Sequence, residues 1–264
     1  MDLGEVKPWT RAAGADPGSD RETAKGRAWV EREIRWLVAE FGEEAVRREF
    51  MVPTPEFLPT GLTGPDGQER IREFVERVAA VMGARTDLLD LRFFRAAAPD
   101  AGGGGGKALT VGRYHRTGGR DVIELDLDSA DRPEELAAII AHELGHLLLR
   151  RYSPLADREP LTDLVTVVLG MGVFGANAAN TFATARRGFS VLPSGDLTSR
   201  MLNGAAHHDG SHHLGYLTPD QFGHALVCCA RLRGEHDPSW ARHLEPGVRA
   251  VVKRGLAGPG PSGS

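Results

Sequence analysis

The stretch Ala141-His142-Glu143-Leu144-Gly145-His146-Leu147 sets two histidines and a glutamate inside an apolar run, and it restricts the fold more than any other part of the chain. Residues four apart lie on one helix face, so His142 and His146 can aim two imidazole nitrogens at one ion. Glu143 sits beside the open coordination position, where a carboxylate can take a proton from a metal-activated water and later hand it to a leaving amine. Around them Leu136, Ile139, Ile140, Leu144, Leu147 and Leu148 form a wide apolar surface. Such a surface marks a buried helix of about five turns. Asp131-Arg132-Pro133-Glu134 reads as its start, with Asp131 as the cap and Pro133 in the first turn. The competing reading is a core helix whose two histidines are merely hydrogen-bonded, although burying them beside a glutamate is costly.

A catalytic zinc site usually takes three protein ligands and leaves its fourth position to water, so a third donor is required. Glu159 and Asp163 stand four apart at the head of a second helical run, Glu159-Pro160-Leu161-Thr162-Asp163-Leu164, and both can face the first helix. The pattern His142-Glu143-x-x-His146 followed by Glu159-x-x-Thr162-Asp163 resembles the gluzincin arrangement of zinc peptidases. That resemblance implies a zincin-like fold, one Zn2+ per chain on His142, His146 and Glu159, and Asp163 as acceptor for the outer N–H of His142. Two features depart from the pattern: only twelve residues separate His146 from Glu159, and Arg158 stands where a well-known version has Asn. Asp163 as the direct ligand therefore stays open. Phe41 to Pro59 and Tyr216 to Gly234 are similar to segments of bacterial zincin-like proteins with no established activity. Two histidines and a carboxylate also suit non-haem iron, which is the alternative metal for this ligand set.

Composition narrows the setting. With 264 residues and 41% hydrophobic content the chain can bury one good core. A net charge of -4 and a pI near 6.2 carry no basic excess, which argues against nucleic acid as partner. Met1 to Asp20 lacks a basic start followed by an apolar segment, so a secretory signal is not expected. The apolar run Leu164 to Ala176 contains three glycines and is too short to span a bilayer. Cys228 and Cys229 are adjacent and read as reduced core residues of a cytoplasmic protein.

The expected fold class is α+β: a small sheet packed on the buried His-Glu-x-x-His helix and a second buried glutamate helix, with further N- and C-terminal helices. Residues 1–20 read as a disordered tail, 21–254 as a single metallohydrolase domain and 255–264 as a flexible tail. Arg21 to Phe50 has helical periodicity broken near Gly42, and Pro53, Pro55 and Pro59 should hold the next segment extended over the body. Gln68 to Met82 is a helix ending at Gly83. Leu91 to Arg95, Ala108 to His115 and Asp121 to Asp128 read as strands, with a five-glycine linker at Gly102 to Gly106 and a hairpin turn at Gly118-Gly119. The Val122 to Asp128 strand is the candidate edge for binding a peptide by strand addition. Glu159 to Asn177 is the second buried helix, with glycines that permit close helix approach. Thr218 and Gln221 can form a capping pair for a helix running to Gly234, in which His224 is a packing residue, and Trp240 to Lys253 forms a last helix.

The histidines of His207-His208-Asp209-Gly210-Ser211-His212-His213 read first as a polar surface loop. If that loop folds over the site, His213 or His212 can donate to a transition-state oxyanion, as can Tyr216 or Tyr152. The leading function is a zinc metallopeptidase acting on a peptide or protein substrate, with Glu143 as general base. A non-catalytic, metal-stabilised scaffold and a non-haem iron enzyme are the alternatives. Neither a membrane nor a nucleic-acid partner is expected.

Overall fold

A computed structural model describes residues 19–95, 111–152, 159–179 and 216–258. The fold is α+β, with seven helices and a three-stranded mixed sheet among the described residues. Helix α1 (Ser19–Phe41) and the short α2 (Glu43–Arg47) meet at Gly42. Residues 48–66 form no helix or strand, as their prolines dictate, and Phe57 from this segment packs on Phe74 and Phe174. Helix α3 (Gly67–Met82) ends at Gly83, whose N–H returns to the Ala79 and Ala80 carbonyls.

The sheet contains β1 (Leu89–Phe94), β2 (Gly112–Thr117) and β3 (Arg120–Asp126), in the order β1-β3-β2. β2 and β3 form the hairpin expected at Gly118-Gly119 and pair antiparallel, Tyr114 opposite Ile123. β1 runs parallel to β3, Leu91 opposite Ile123. This order corrects the expectation for the peptide-binding edge. β3 is the central strand, hydrogen-bonded on both sides, and Val122, Ile123 and Leu125 are all buried, as a strand covered on both faces must be. Among the described strands the edges are β1 and β2.

Helix α4 (Pro133–Leu149) carries the His-Glu-x-x-His motif. It is apolar nearly all round and buried from Leu136 to Leu147, packed against the sheet, α3 and α5. Its start differs from expectation: Arg132 holds the cap position without a side-chain bond, while Asp131 closes a 3-10 turn over Leu127–Asp131. That turn carries the chain from β3 into the helix and uses the Asp126 carboxylate to receive the Asp128 N–H.

Helix α5 (Glu159–Ala179) is long and apolar enough to cross a membrane by length and composition, but 89% of its apolar window lies inside the protein, as a core helix. It kinks at Leu169 and Gly170, and the Gly170 carbonyl there receives the Met51 N–H at 2.8 Å. Helix α6 (Pro219–Leu232) opens with the capping box of Thr218 and Gln221. The last segment is a 3-10 turn over Ser239–His243 and then α7 (Pro246–Ala257), not one helix, because Pro246 can start a helix but not continue one. Residues 255–257, expected in a tail, form the last turn of α7, where the Gly255 carbonyl receives Arg231. The five-glycine linker, the histidine-rich loop and the outer parts of both expected tails lie outside the described residues.

Candidate metal centre

Helices α4 and α5 touch where their sequences permit the closest approach. A Cβ on Gly145 would stand 2.8 Å from Thr162 Cγ2 and 3.1 Å from Val165 Cγ1, so only a glycine lets α5 lie this near the motif. That contact brings Glu159 and Asp163 to the histidine face of α4. Glu159 Oε2 is 3.1 Å from His142 Nε2 and 3.3 Å from His146 Nε2. The donor atoms of His142, His146 and Glu159 all lie within 4.8 Å of one another, close enough to bind one metal ion.

Asp163 occupies a different place. Its Oδ1 is 2.9 Å from His142 Nδ1, the nitrogen facing away from Glu159, and its Oδ2 receives the Leu217 backbone N–H at 3.0 Å. Burial opposes charging His142, but the Asp163 and Glu159 carboxylates outweigh it and hold its imidazole well above the ordinary histidine range. A proton on Nε2 and a metal ion would therefore compete for the same lone pair. Thr162 Oγ1 lies 3.5 Å from His146 Nδ1, at the outer limit of a hydrogen bond.

Glu143 is 2% exposed. Its Oε2 has no hydrogen-bond partner among the described residues. Its Oε1 lies against Gly112 of β2, where an added Cβ would come within 2.7 Å. The missing side chain at Gly112 is thus the space that the Glu143 carboxyl fills. The buried Glu143 carboxylate, with no partner for Oε2 among the described residues, also acts electrostatically on His142, which fits a centre that holds a cation.

Of the expected oxyanion donors, Tyr216 lies at the centre, its ring stacked on His142 with centroids 6.0 Å apart and planes at 17°. His212 and His213 lie outside the described residues. Tyr152 belongs to an aromatic group with Trp36 and Phe41, with the Arg151 guanidinium over its ring.

Sequence reasoning missed Tyr114, which stacks on His146 at 6.0 Å with planes 7° apart. Its hydroxyl donates to Asp121 Oδ1 at 2.8 Å, and Arg116 and Arg150 pair with the same buried carboxylate. Burial and the Asp121 bond push the phenol above its ordinary range. Gly112 and Tyr114, two apart on one strand, were the available signal, since alternate residues share a face. No family model, curated protein or solved structure matches the chain.

Proposed function

We propose that the chain is a zinc-dependent hydrolase of zincin-like layout that cleaves peptide bonds, with His142, His146 and Glu159 holding the metal. The observation that carries this reading is Glu143: a buried carboxylate, uncommitted at Oε2 among the described residues, that acts electrostatically on His142, one of the three donors. Zinc bound there would polarise a scissile carbonyl and bring the pKa of water down to about 7.

The chain's own residues supply the rest. Glu143 accepts a proton from water at Oε2 and returns it to the leaving amine. Asp163 holds the His142 proton on Nδ1, so that Nε2, the nitrogen facing Glu159 Oε2, can give its lone pair to a metal. Tyr114 and Tyr216 stack on the two imidazoles and fix their planes, and Tyr216 is the proposed oxyanion donor. Among the described strands β2 is an edge of the sheet, and its Gly112 lies against Glu143, so an extended peptide added to that edge would run near the carboxylate.

The test is turnover of a mixed peptide library. Glu143→Gln should keep the metal and abolish cleavage; near-normal cleavage by that variant would sink the mechanism. A second reading, a metal-stabilised scaffold without catalysis, draws on the near-complete burial of His142, Glu143 and His146. A small chelating hydroxamate separates the two, because it binds only if a coordination position is open.

A further inference from the structure

A second group of donors lies between α1 and α6. His224 and Cys228 are four apart on α6 and share one face, and Glu31 meets them from α1. Glu31 Oε1 is 3.0 Å from His224 Nε2, and Cys228 Sγ is 3.8 Å from the same nitrogen. All three donor atoms lie within 4.8 Å of one another. Tetrahedral zinc with ordinary bond lengths needs donor separations of about 3.3–3.6 Å, so shifts of about 1 Å or less would close the set.

A histidine–glutamate pair alone would account for the 3.0 Å contact. The i, i+4 spacing on α6 brings the Cys228 sulfur to the same nitrogen, which adds a third donor that the ion pair itself does not use. All three residues are partly exposed, which leaves a further coordination position open to water. Cys229 is fully buried on another face of α6 and does not compete. The Asp220 carboxylate, one turn before His224, is engaged by Arg27 at 3.0 Å.

We propose that Glu31, His224 and Cys228 form a second metal site, separate from the His142 centre, that takes a borderline divalent transition ion such as Zn2+ and ties α1 to α6. Binding breaks the Cys228 S–H bond, forms a metal–sulfur bond and releases the proton to solvent. With a thiolate, a carboxylate and a neutral imidazole around a divalent ion, the site carries no net charge.

Cobalt reads this site independently of the first, because a thiolate ligand gives Co2+ an intense near-ultraviolet charge-transfer band that a centre of two histidines and a glutamate cannot produce. The full chain, stripped with chelator and kept reduced, is titrated with Co2+. The expected result is a sulfur band that accounts for one of the two Co2+ ions bound per chain and saturates at one equivalent in Glu159→Gln, lost in Cys228→Ser and retained in Cys229→Ser. Glu31→Gln should raise the half-saturation concentration by about ten-fold or more. This variant changes a partly exposed residue and serves if Cys228→Ser fails to fold. No band from the folded wild-type chain, or a band unmoved by Glu31→Gln, would overturn the site. Loss of peptidase activity alone would leave it standing.

Discussion

Asp163→Asn tests the centre through a residue that touches no metal in this arrangement. Asp163 is 4% exposed, and each carboxylate oxygen receives one donor: His142 Nδ1–H at Oδ1 and the Leu217 N–H at Oδ2. Asparagine has one acceptor oxygen, so one of those donors must face its NH2 group. If the oxygen stays with Leu217, His142 loses its acceptor, and the proton favours Nε2, where the metal would bind. If it turns to His142, the Leu217 N–H is left buried and unpaired beside Tyr216. Either outcome costs about 1–3 kcal/mol in stability. Loss of the orienting carboxylate should also weaken zinc by roughly 10–100-fold.

Both quantities are measurable, stability by urea unfolding with chelator present and affinity by competition against a chromophoric zinc chelator. An affinity within about three-fold of wild type would refute the orienting role. A loss as complete as that of Glu159→Gln would make Asp163 a direct ligand, the alternative left open by the motif spacing.

Three further outcomes follow from particular contacts. Gly112→Ala would force a Cβ to within 2.7 Å of both Glu143 Oε1 and Ile139 Cγ2. It should cost about 1–3 kcal/mol in stability and displace Glu143, lowering kcat with metal content unchanged; wild-type kcat would show that the β2 approach does not set Glu143. Burial pushes the Cys229 thiol up to about 12. Between the unfolded thiol pKa of about 9 and that value, the folded state holds a proton the unfolded state has lost. Stability therefore falls as pH rises through this window, by up to about 1.4 kcal/mol per pH unit. In chelator and reductant, Cys229→Ala should make the alkaline loss shallower than in wild type, and identical slopes would count against the burial. Glu143→Gln, with metal kept and cleavage lost, completes the set.

Local chemistry was readable in advance where it rests on spacing and caps. The i, i+4 pairs His142/His146 and Glu159/Asp163 gave the facing helices, Gly83 gave a helix end, and Thr218 with Gln221 gave a helix start. What spacing could not show was nonlocal. β3 lies between β1 and β2 because a strand arriving last in sequence inserted at the centre, and the alternation of Ile123, Leu125 and Leu127 with Val122, Glu124 and Asp126 cannot distinguish an edge from a central strand. The Asp131 cap failed because Asp131 was already closing a 3-10 turn. Tyr114 and Gly112 gained their places only once β2 lay on α4. The Glu31 partner of His224 is equally nonlocal, lying 193 positions away.

The most direct test of the centre is metal content by elemental analysis of untagged, metal-replete protein, wild type against Glu159→Gln, with the Glu31, His224 and Cys228 group removed from both by Cys228→Ser and Glu31→Gln. The expected result is a difference of one zinc per chain between the two proteins. Equal metal content, or no metal in the Glu159-containing protein, would contradict the assignment of His142, His146 and Glu159 as its ligands.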